Sequence, residues 1–206
     1  MRQSIRRRVP ICFCVGGFIE KWYGTKCNDV FYGASDLLQK ETRKVWDAIF
    51  VGRLENDTGF KSYLSAFAEI SNRSPACRLL VVGDGSLLPW AKNFIEHHEL
   101  KVEFTGQVQA VDKYLSRAKV AFVSGYQTIV EAAINKIPII AFFDNPLKKD
   151  YLTMHPQADN MHIVSSQKGI VDSFFAPSQI NLGEFRRWAG KQTWRKIATV
   201  YRQAYR

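Results

Sequence analysis

From residue 48 onward, short and wholly apolar runs alternate with longer stretches whose apolar residues recur every three or four positions. Ala48-Ile-Phe-Val51 stops at Gly52, and Ser62 to Ile70 then sets Tyr63, Leu64, Phe67 and Ile70 on one helical face. Leu79-Leu-Val-Val82 stops at Gly83 and is followed by helical spacing from Leu87 to His97. Val102-Glu-Phe104 stops at Gly106, and Val111 to Ala118 again has helical spacing. Val120 to Val123 ends at Ser124-Gly125, Thr128 to Asn135 reads as a helix, and Ile137 to Phe143 as a strand. His162 to Val164 is a weaker last strand. Strands that are apolar on both faces and alternate with helices predict a parallel sheet covered by helices, an α/β doubly wound (Rossmann-like, α/β/α) domain. Phe185 to Tyr205 carries Trp188, Trp194, Ile197, Val200 and Tyr201 at helical spacing, which predicts a closing C-terminal helix packed on the sheet. Residues 1–47 do not follow the alternation, so the expected division is 1–47 and 48–206.

Composition narrows the class. The chain has 206 residues, 46% of them apolar and 23% charged, values of a soluble globular protein. A disordered tail, a collagen-like rod and a disulfide-stapled miniprotein are excluded, and a core can form without staples. No apolar run approaches the ~18 residues of a transmembrane helix. Twenty-nine Lys and Arg against nineteen Asp and Glu give a net charge of +10, concentrated in Arg2 to Arg8 and Arg186 to Arg206. Such a surplus suits an anionic partner or simply solvated basic ends. Anionic partners open to it are an acidic membrane face met peripherally or a phosphorylated ligand, solvated ends without a partner being the commoner case.

Four cysteines, at 12, 14, 27 and 77, form no Cys-x-x-Cys pair and predict scattered thiols in a reducing compartment. Arg6 to Arg8 followed by Val9 to Phe18 superficially resembles a signal peptide. That stretch contains Pro10, Gly16 and Gly17 and runs into Glu20-Lys21-Trp22 without a small-residue cleavage site. It predicts a strand and a loop, and a cytoplasmic protein. His97, His98, His155 and His162 have no metal-ligand spacing. His97-His98 reads as a helix cap and His155-Pro156 as a loop, and no catalytic role falls to any of them.

Ligands of a doubly wound sheet bind outside the carboxyl ends of its strands. Four turns lie there: Gly52-Arg53, Gly83-Asp84-Gly85-Ser86, Gly106-Gln107-Val108 and Ser124-Gly125-Tyr126-Gln127-Thr128. Each opens into a helix whose free N–H groups and positive dipole favour phosphate. Gly83-x-Gly85 lacks the third glycine of the dinucleotide fingerprint, since position 88 is Leu, and Glu103 lies inside a strand rather than ending one. No phosphate-binding Gly-x-x-x-x-Gly-Lys-Ser/Thr loop and no Gly-x-Ser-x-Gly elbow occurs.

Val51-Gly-Arg-Leu54, Val81-Val-Gly-Asp-Gly85, Phe104-Thr-Gly106 and the Gly-x-x-Thr-x-x-Glu131-Ala run with Pro138 after it together resemble the C-terminal half of a GT-B glycosyltransferase. The order and spacing match over about residues 48 to 205. Tyr32-Gly33-Ala34-Ser35-Asp36 resembles the hinge segment of group 1 transferases, and the Ser124-Gly125-x-x-Thr128-x-x-Glu131 loop is similar to that of N-acetylglucosaminyltransferases. The resemblance implies a single GT-B half-domain that binds a nucleotide-diphosphate sugar as substrate, with no cofactor and no metal, and leaves no place for nucleic acid. Glu131 would accept hydrogen bonds from the ribose. Ser124, Gly125 and Thr128 would hold the diphosphate, with Gly52 and Arg53 beside it. Gly83 and Gly85 would shape the cleft wall, and Gln107 and Val108 would border the base.

The sequence also departs from that family. Thr58 stands where group 1 retaining enzymes carry a Lys, with Lys61 one helical turn further on, and Val123 stands where they carry a Glu. The resemblance therefore leaves retention or inversion open, and the catalytic residue is expected on the acceptor half. Residues 1–47 would be a remnant of that half and of the hinge, so that Val9 to Phe18, Trp22, Tyr23 and Phe31 would be exposed remnants of its contact. Transfer would then need the acceptor domain or a partner subunit. A non-catalytic nucleotide-sugar-binding or partner subunit and a GT-B-fold nucleotide-sugar epimerase remain as alternatives.

Overall fold

The computed structural model describes residues 11–36, 42–176 and 180–204. The basic cluster Arg2 to Arg8, Val9, Pro10, Tyr205 and Arg206 lie outside them. Six strands form one parallel sheet: β3 (Trp46–Val51), β4 (Leu79–Val82), β5 (Val102–Gly106), β6 (Ala118–Val123), β7 (Ile139–Phe142) and β8 (His162–Val164), in the order β5-β4-β3-β6-β7-β8. This is the doubly wound order, reversing direction between β3 and β6. Ahead of it, β1 (Phe13–Val15) and β2 (Asp29–Phe31) pair in parallel around α1 (Phe18–Tyr23).

Alternation along the strands builds two cores. Ala48 and Phe50 face the layer of α2 (Phe60–Arg73), α3 (Leu88–His97) and α7 (Gln167–Phe175), whereas Ile49 and Val51 face α4 (Asp112–Leu115), α5 (Tyr126–Ile134) and α8 (Leu182–Ala189). Tyr63, Leu64, Phe67 and Ile70 are all buried, as the spacing predicts. The Tyr63 hydroxyl donates to the carbonyls of Val123 (2.7 Å) and Ile140 (3.2 Å) and accepts the Phe142 N–H (2.8 Å). A single buried phenol thus locks β6 to β7, and burial raises its pKa. The remaining helix over this sheet, α6 (Pro146–Thr153), begins at an Asn145 cap whose side chain accepts the Lys148 N–H.

Several expectations fail. The helix predicted to Ala118 stops at Leu115, and Ala118 opens β6 instead, paired with Trp46. The single closing helix is two, α8 and α9 (Trp194–Ala204), separated around Gly190. α9 does not pack on the large sheet: none of its residues is buried, Trp194 is 54% exposed, and Tyr201 meets the rings of Phe13 and Phe31. Cys14 and Cys27 are not free thiols but form a disulfide across the β1–β2 unit, leaving Cys12 and Cys77 free. Phe18 and Phe31 are buried within this chain, while Val15, Trp22 and Tyr23 are exposed. No described helix is long and apolar enough to cross a membrane.

His155 lies in a loop, as the sequence predicts, but is buried there. It is 3% exposed and packed among the rings of Tyr32, Tyr126 and Trp188, with centroids 5.1, 5.4 and 4.8 Å away. Its Nδ1 accepts the Gln157 N–H, so the ring proton sits on Nε2, which has no hydrogen-bond partner among the described residues. Burial pushes this imidazole down from 6.5 to about 4. The unfolded chain therefore takes up the proton at a higher pH than the folded one. The stability is fully present above pH 6.5 and is lost as pH falls through about 4, by on the order of 3 kcal/mol. Chemical denaturation from pH 7 to 4 should show this slope, and His155→Phe should flatten it. An equal slope in both proteins would place the acid sensitivity elsewhere.

Candidate functional site

In a doubly wound sheet, a reversal of strand order such as that between β3 and β6 places the ligand crevice at their carboxyl ends. The turns after these strands approach each other, and a Cβ at Gly52 would lie 3.8 Å from Ser124 Oγ. Next to them the β4 turn is fused to the β3 turn. At Gly83 (φ +140°) a Cβ would fall 1.9 Å from the Gly52 carbonyl oxygen, and at Gly85 one would fall 2.6 Å from that of Leu54. Only glycine permits either approach. Ser86 adds two bonds to the Glu55 carboxylate, from its N–H (2.8 Å) and its hydroxyl (2.6 Å), which hold that carboxyl below the usual range. Gly83 and Gly85 thus serve the rigid joining of two turns, and Glu55 is a contributor that sequence reasoning missed.

The opposite wall is the start of α5. Gly125 is its extended N-cap, and the Tyr126 N–H is taken by the Tyr151 hydroxyl at 2.7 Å. The N–H groups of Gln127 and Thr128 have no partner among the described residues, nor has the hydroxyl of Thr128, a residue only 8% exposed. These groups stand at the positive end of a helix dipole, an arrangement that suits an anion.

One side chain couples this helix to the segment ahead of the sheet. The Gln127 amide accepts the Ala34 N–H (3.2 Å) and donates to the Ala34 carbonyl (2.8 Å) and to Glu131 Oε1 (2.9 Å). Gly33 (φ +89°) makes the approach possible, since a Cβ there would lie 3.0 Å from the Tyr126 carbonyl oxygen. Glu131 is half-buried, and burial raises its carboxyl above the ordinary range. The Gln127 hydrogen bond opposes that shift and the Asp112 charge adds to it. Val108 packs against the same core layer as α5, and Gln107 beside it is exposed.

The cations arrange themselves differently from the sequence expectation. Arg53 is exposed and paired with Asp57 at 2.7 Å, a contact worth under about 1 kcal/mol and readily exchanged for a phosphate. Thr58 is buried, its hydroxyl donating to the carbonyls of Arg53 and Glu55, so it closes the turn. Lys61 lies over the Trp90 ring, 5.3 Å from its centroid, against α3. Val123 is fully buried. Sequence reasoning missed Lys148. This half-buried residue donates from Nζ to the Ser124 carbonyl, lies 4.6 Å over the Tyr151 ring and has no carboxylate ion pair among the described residues. Burial lowers its pKa, and the charges of Asp57, Asp144 and Arg53 all reach it. The Asn145-Pro146 helix start, which presents Lys148 at the crevice, was the available signal. Among the described residues no cluster of three or more His, Cys, Asp or Glu could hold a metal ion.

A doubly wound sheet with unsatisfied donors and cations gathered at its switch point defines a Rossmann-like domain suited to an anionic ligand. The sequence model described as "Glycosyl transferases group 1" matches residues 47–150, half of the chain, and the chain belongs to that family. No curated protein matches by sequence. Among solved structures, the pneumococcal O-GlcNAc transferase GtfA, in complex with UDP and GlcNAc, superposes with TM-score 0.70 at 16% identity, over 93% of this chain and 44% of that one. S. aureus TarM, in a complex that includes UDP, gives 0.68 at 13%, over 90% and 41%. AviGT4, a glycosyltransferase of avilamycin A biosynthesis, gives 0.66 at 16%, over 94% and 62%. The fold is thus that of the Rossmann-like halves of GT-B glycosyltransferases, and this chain spans less than half the length of GtfA and TarM.

Arg53→Ala and Lys148→Ala should each weaken binding of a nucleoside diphosphate by roughly tenfold to a hundredfold while hardly changing that of the bare nucleoside. Calorimetric titration of both ligands separates the cases. Equal losses for the two ligands would mean that these side chains act through packing.

Proposed function

We propose that this chain is the donor half of a glycosyltransferase, binding a nucleotide-diphosphate sugar for transfer of a hexosyl or N-acetylhexosaminyl group. The observation that carries the reading is the coincidence, at one switch point, of an unpaired helix start with a half-buried carboxylate one turn further along the same helix. Gln127 N–H, Thr128 N–H and the Thr128 hydroxyl would take the diphosphate, with Ser124 and Gly125 beneath it and Arg53 and Lys148 beside it. Glu131, oriented by Gln127, would accept the two ribose hydroxyls. Gln107 and Val108 would border the base. In this arrangement Arg53 leaves Asp57 for the phosphates, and the same cations would later stabilise the nucleoside diphosphate as it departs.

The acceptor side would come from a further domain or a partner subunit. Transfer requires donor and acceptor at near-attack distance, a positioning worth about 7–11 kcal/mol of barrier. Exposed Val15, Trp22 and Trp194 are apolar side chains that such a contact would cover. A second reading, a binding subunit without chemistry of its own, has specific support. Thr58 and Val123 are built into the core where a catalytic transferase of this family would carry charge.

Glu131→Ala should weaken UDP or GDP binding by about 1.5–3 kcal/mol, roughly tenfold to a hundredfold, and leave the fold intact. Because burial raises the Glu131 pKa, the charged acceptor is lost as pH falls through a value above that of an ordinary Glu. The wild-type affinity should fall over that pH range and that of Glu131→Ala should not. A folded variant with undiminished affinity at pH 7 would remove Glu131 from the site.

A further inference from the structure

At the opposite end of the sheet, the amino ends of β3, β4 and β6 frame a cleft of about 520 Å³ lined by Thr42, Arg43, Lys44, Val45, Arg78 and Arg117. Arg117 and Arg78 precede the strands on either side of β3. The Arg117 carbonyl accepts the N–H groups of Val45 and Trp46, and that of Arg78 accepts those of Asp47 and Ala48, which fixes both arginines beside Trp46. The Arg78 guanidinium lies over the Trp46 ring at 4.3 Å, which orients its fork and leaves its N–H edges free. Lys44 Nζ (2.9 Å) and the Thr42 hydroxyl (2.7 Å) both donate to the Ser116 carbonyl, drawing the start of the segment over the cleft.

Among the described residues no acid lines this cleft, and none of its four cations has a carboxylate partner. The nearby Asp47 carboxylate is already occupied by Lys119 Nζ at 2.7 Å and the Arg78 N–H at 2.9 Å. Burial also lowers the Lys44 pKa, a cost that an anion would offset. Four cations lining one cleft, one guanidinium laid flat on a ring and none with a carboxylate partner among the described residues, suit an anion, and the fork of arginine matches phosphate oxygens in pairs.

We propose that this cleft is a second anion site, for a phosphate group, independent of the crevice at the switch point. The six residues of β3 separate the two by roughly 20 Å. One ligand group therefore cannot serve both. The phosphate could belong to a soluble ligand or to a phospholipid headgroup, and the chemistry of recognition is the same.

Pyrophosphate titrated into the ¹⁵N-labelled full chain reads the two sites residue by residue. The amides of Lys44, Val45, Arg78 and Arg117 should shift saturably below about 1 mM. In a chain carrying both Arg78→Gln and Arg117→Gln this binding should weaken by about tenfold or more, while Arg53→Ala leaves it unchanged. Should the double variant fail to fold, Arg43→Gln, at an exposed position, should weaken the same shifts. Absence of saturable shifts at these amides, or shifts indifferent to the cleft substitutions, overturns the proposal. Vesicles of phosphatidylcholine with phosphatidylglycerol identify the source. Sedimentation with them that pyrophosphate competes away and that the double variant loses assigns the site to a headgroup. Pyrophosphate binding without sedimentation assigns it to a soluble phosphate.

Discussion

The structure depends on a reversal of direction in the middle of a parallel sheet. The connection after β3 leads into α2 on one face, and the connection after β6 leads into α5 on the other. The two connections leave the sheet on opposite faces, and in a doubly wound sheet the ligand crevice lies at that point, above strands that are hydrogen-bonded along their whole length. The Gln127 and Thr128 N–H groups at the start of α5 have no partner among the described residues, because the helix can supply none to its own first turn. Everything placed at this end of the sheet follows from that gap: Arg53 from one side, Lys148 and Ser124 from the other, and Glu131 one turn deeper. The amino ends of the same strands gather cations for a different reason. There the residues just before β4 and β6 are both arginines, aligned by the strand register around Trp46.

Such a crevice is useful only if its walls hold still. On the β3 side, glycine at 83 and 85 lets two turns touch backbone to backbone, and Glu55 ties them through Ser86. On the α5 side, Tyr151 clamps the helix start: its hydroxyl takes the Tyr126 N–H, its carbonyl accepts the Tyr126 hydroxyl, and the two rings stack 3.8 Å apart. Gln127 then joins Glu131 to the Ala34 backbone, so the carboxylate that would read a ribose also senses the position of residues 32–36. In a chain whose relatives extend well beyond it, this is a physical link between the candidate site and the segment that leads into the domain.

The strands of the large sheet were legible because β3, β4 and β7 are buried along nearly their whole length and β3, β4, β5 and β6 each run out at glycine or serine, whereas β8, only half-buried, gave a weaker signal. The family resemblance, too, rested on those turns. Ala118 was misplaced because one small apolar residue between Arg117 and Lys119 satisfies helix and strand patterns equally. The tail misled for a different reason. Helical spacing reports that Trp194 and Tyr201 share a face, but not that this face meets β1 and β2 rather than the sheet. Lys148 and Glu55 were invisible as site residues, and Gln127 was visible only as backbone of its turn, because their side-chain partners lie 24, 31 and 93 positions away in the chain. The Cys14–Cys27 bond, with its Cα atoms 5.8 Å apart, likewise exists only once β1 and β2 are paired.

The central claim is that a nucleotide occupies the gap made by the strand reversal. A structure of this chain soaked or crystallised with UDP tests it most directly. The account predicts the diphosphate on the Gln127 and Thr128 N–H groups, Lys148 and Arg53 turned toward it, and both ribose hydroxyls on Glu131. Nucleotide density at another place on the chain, with the start of α5 and Glu131 untouched, would contradict it.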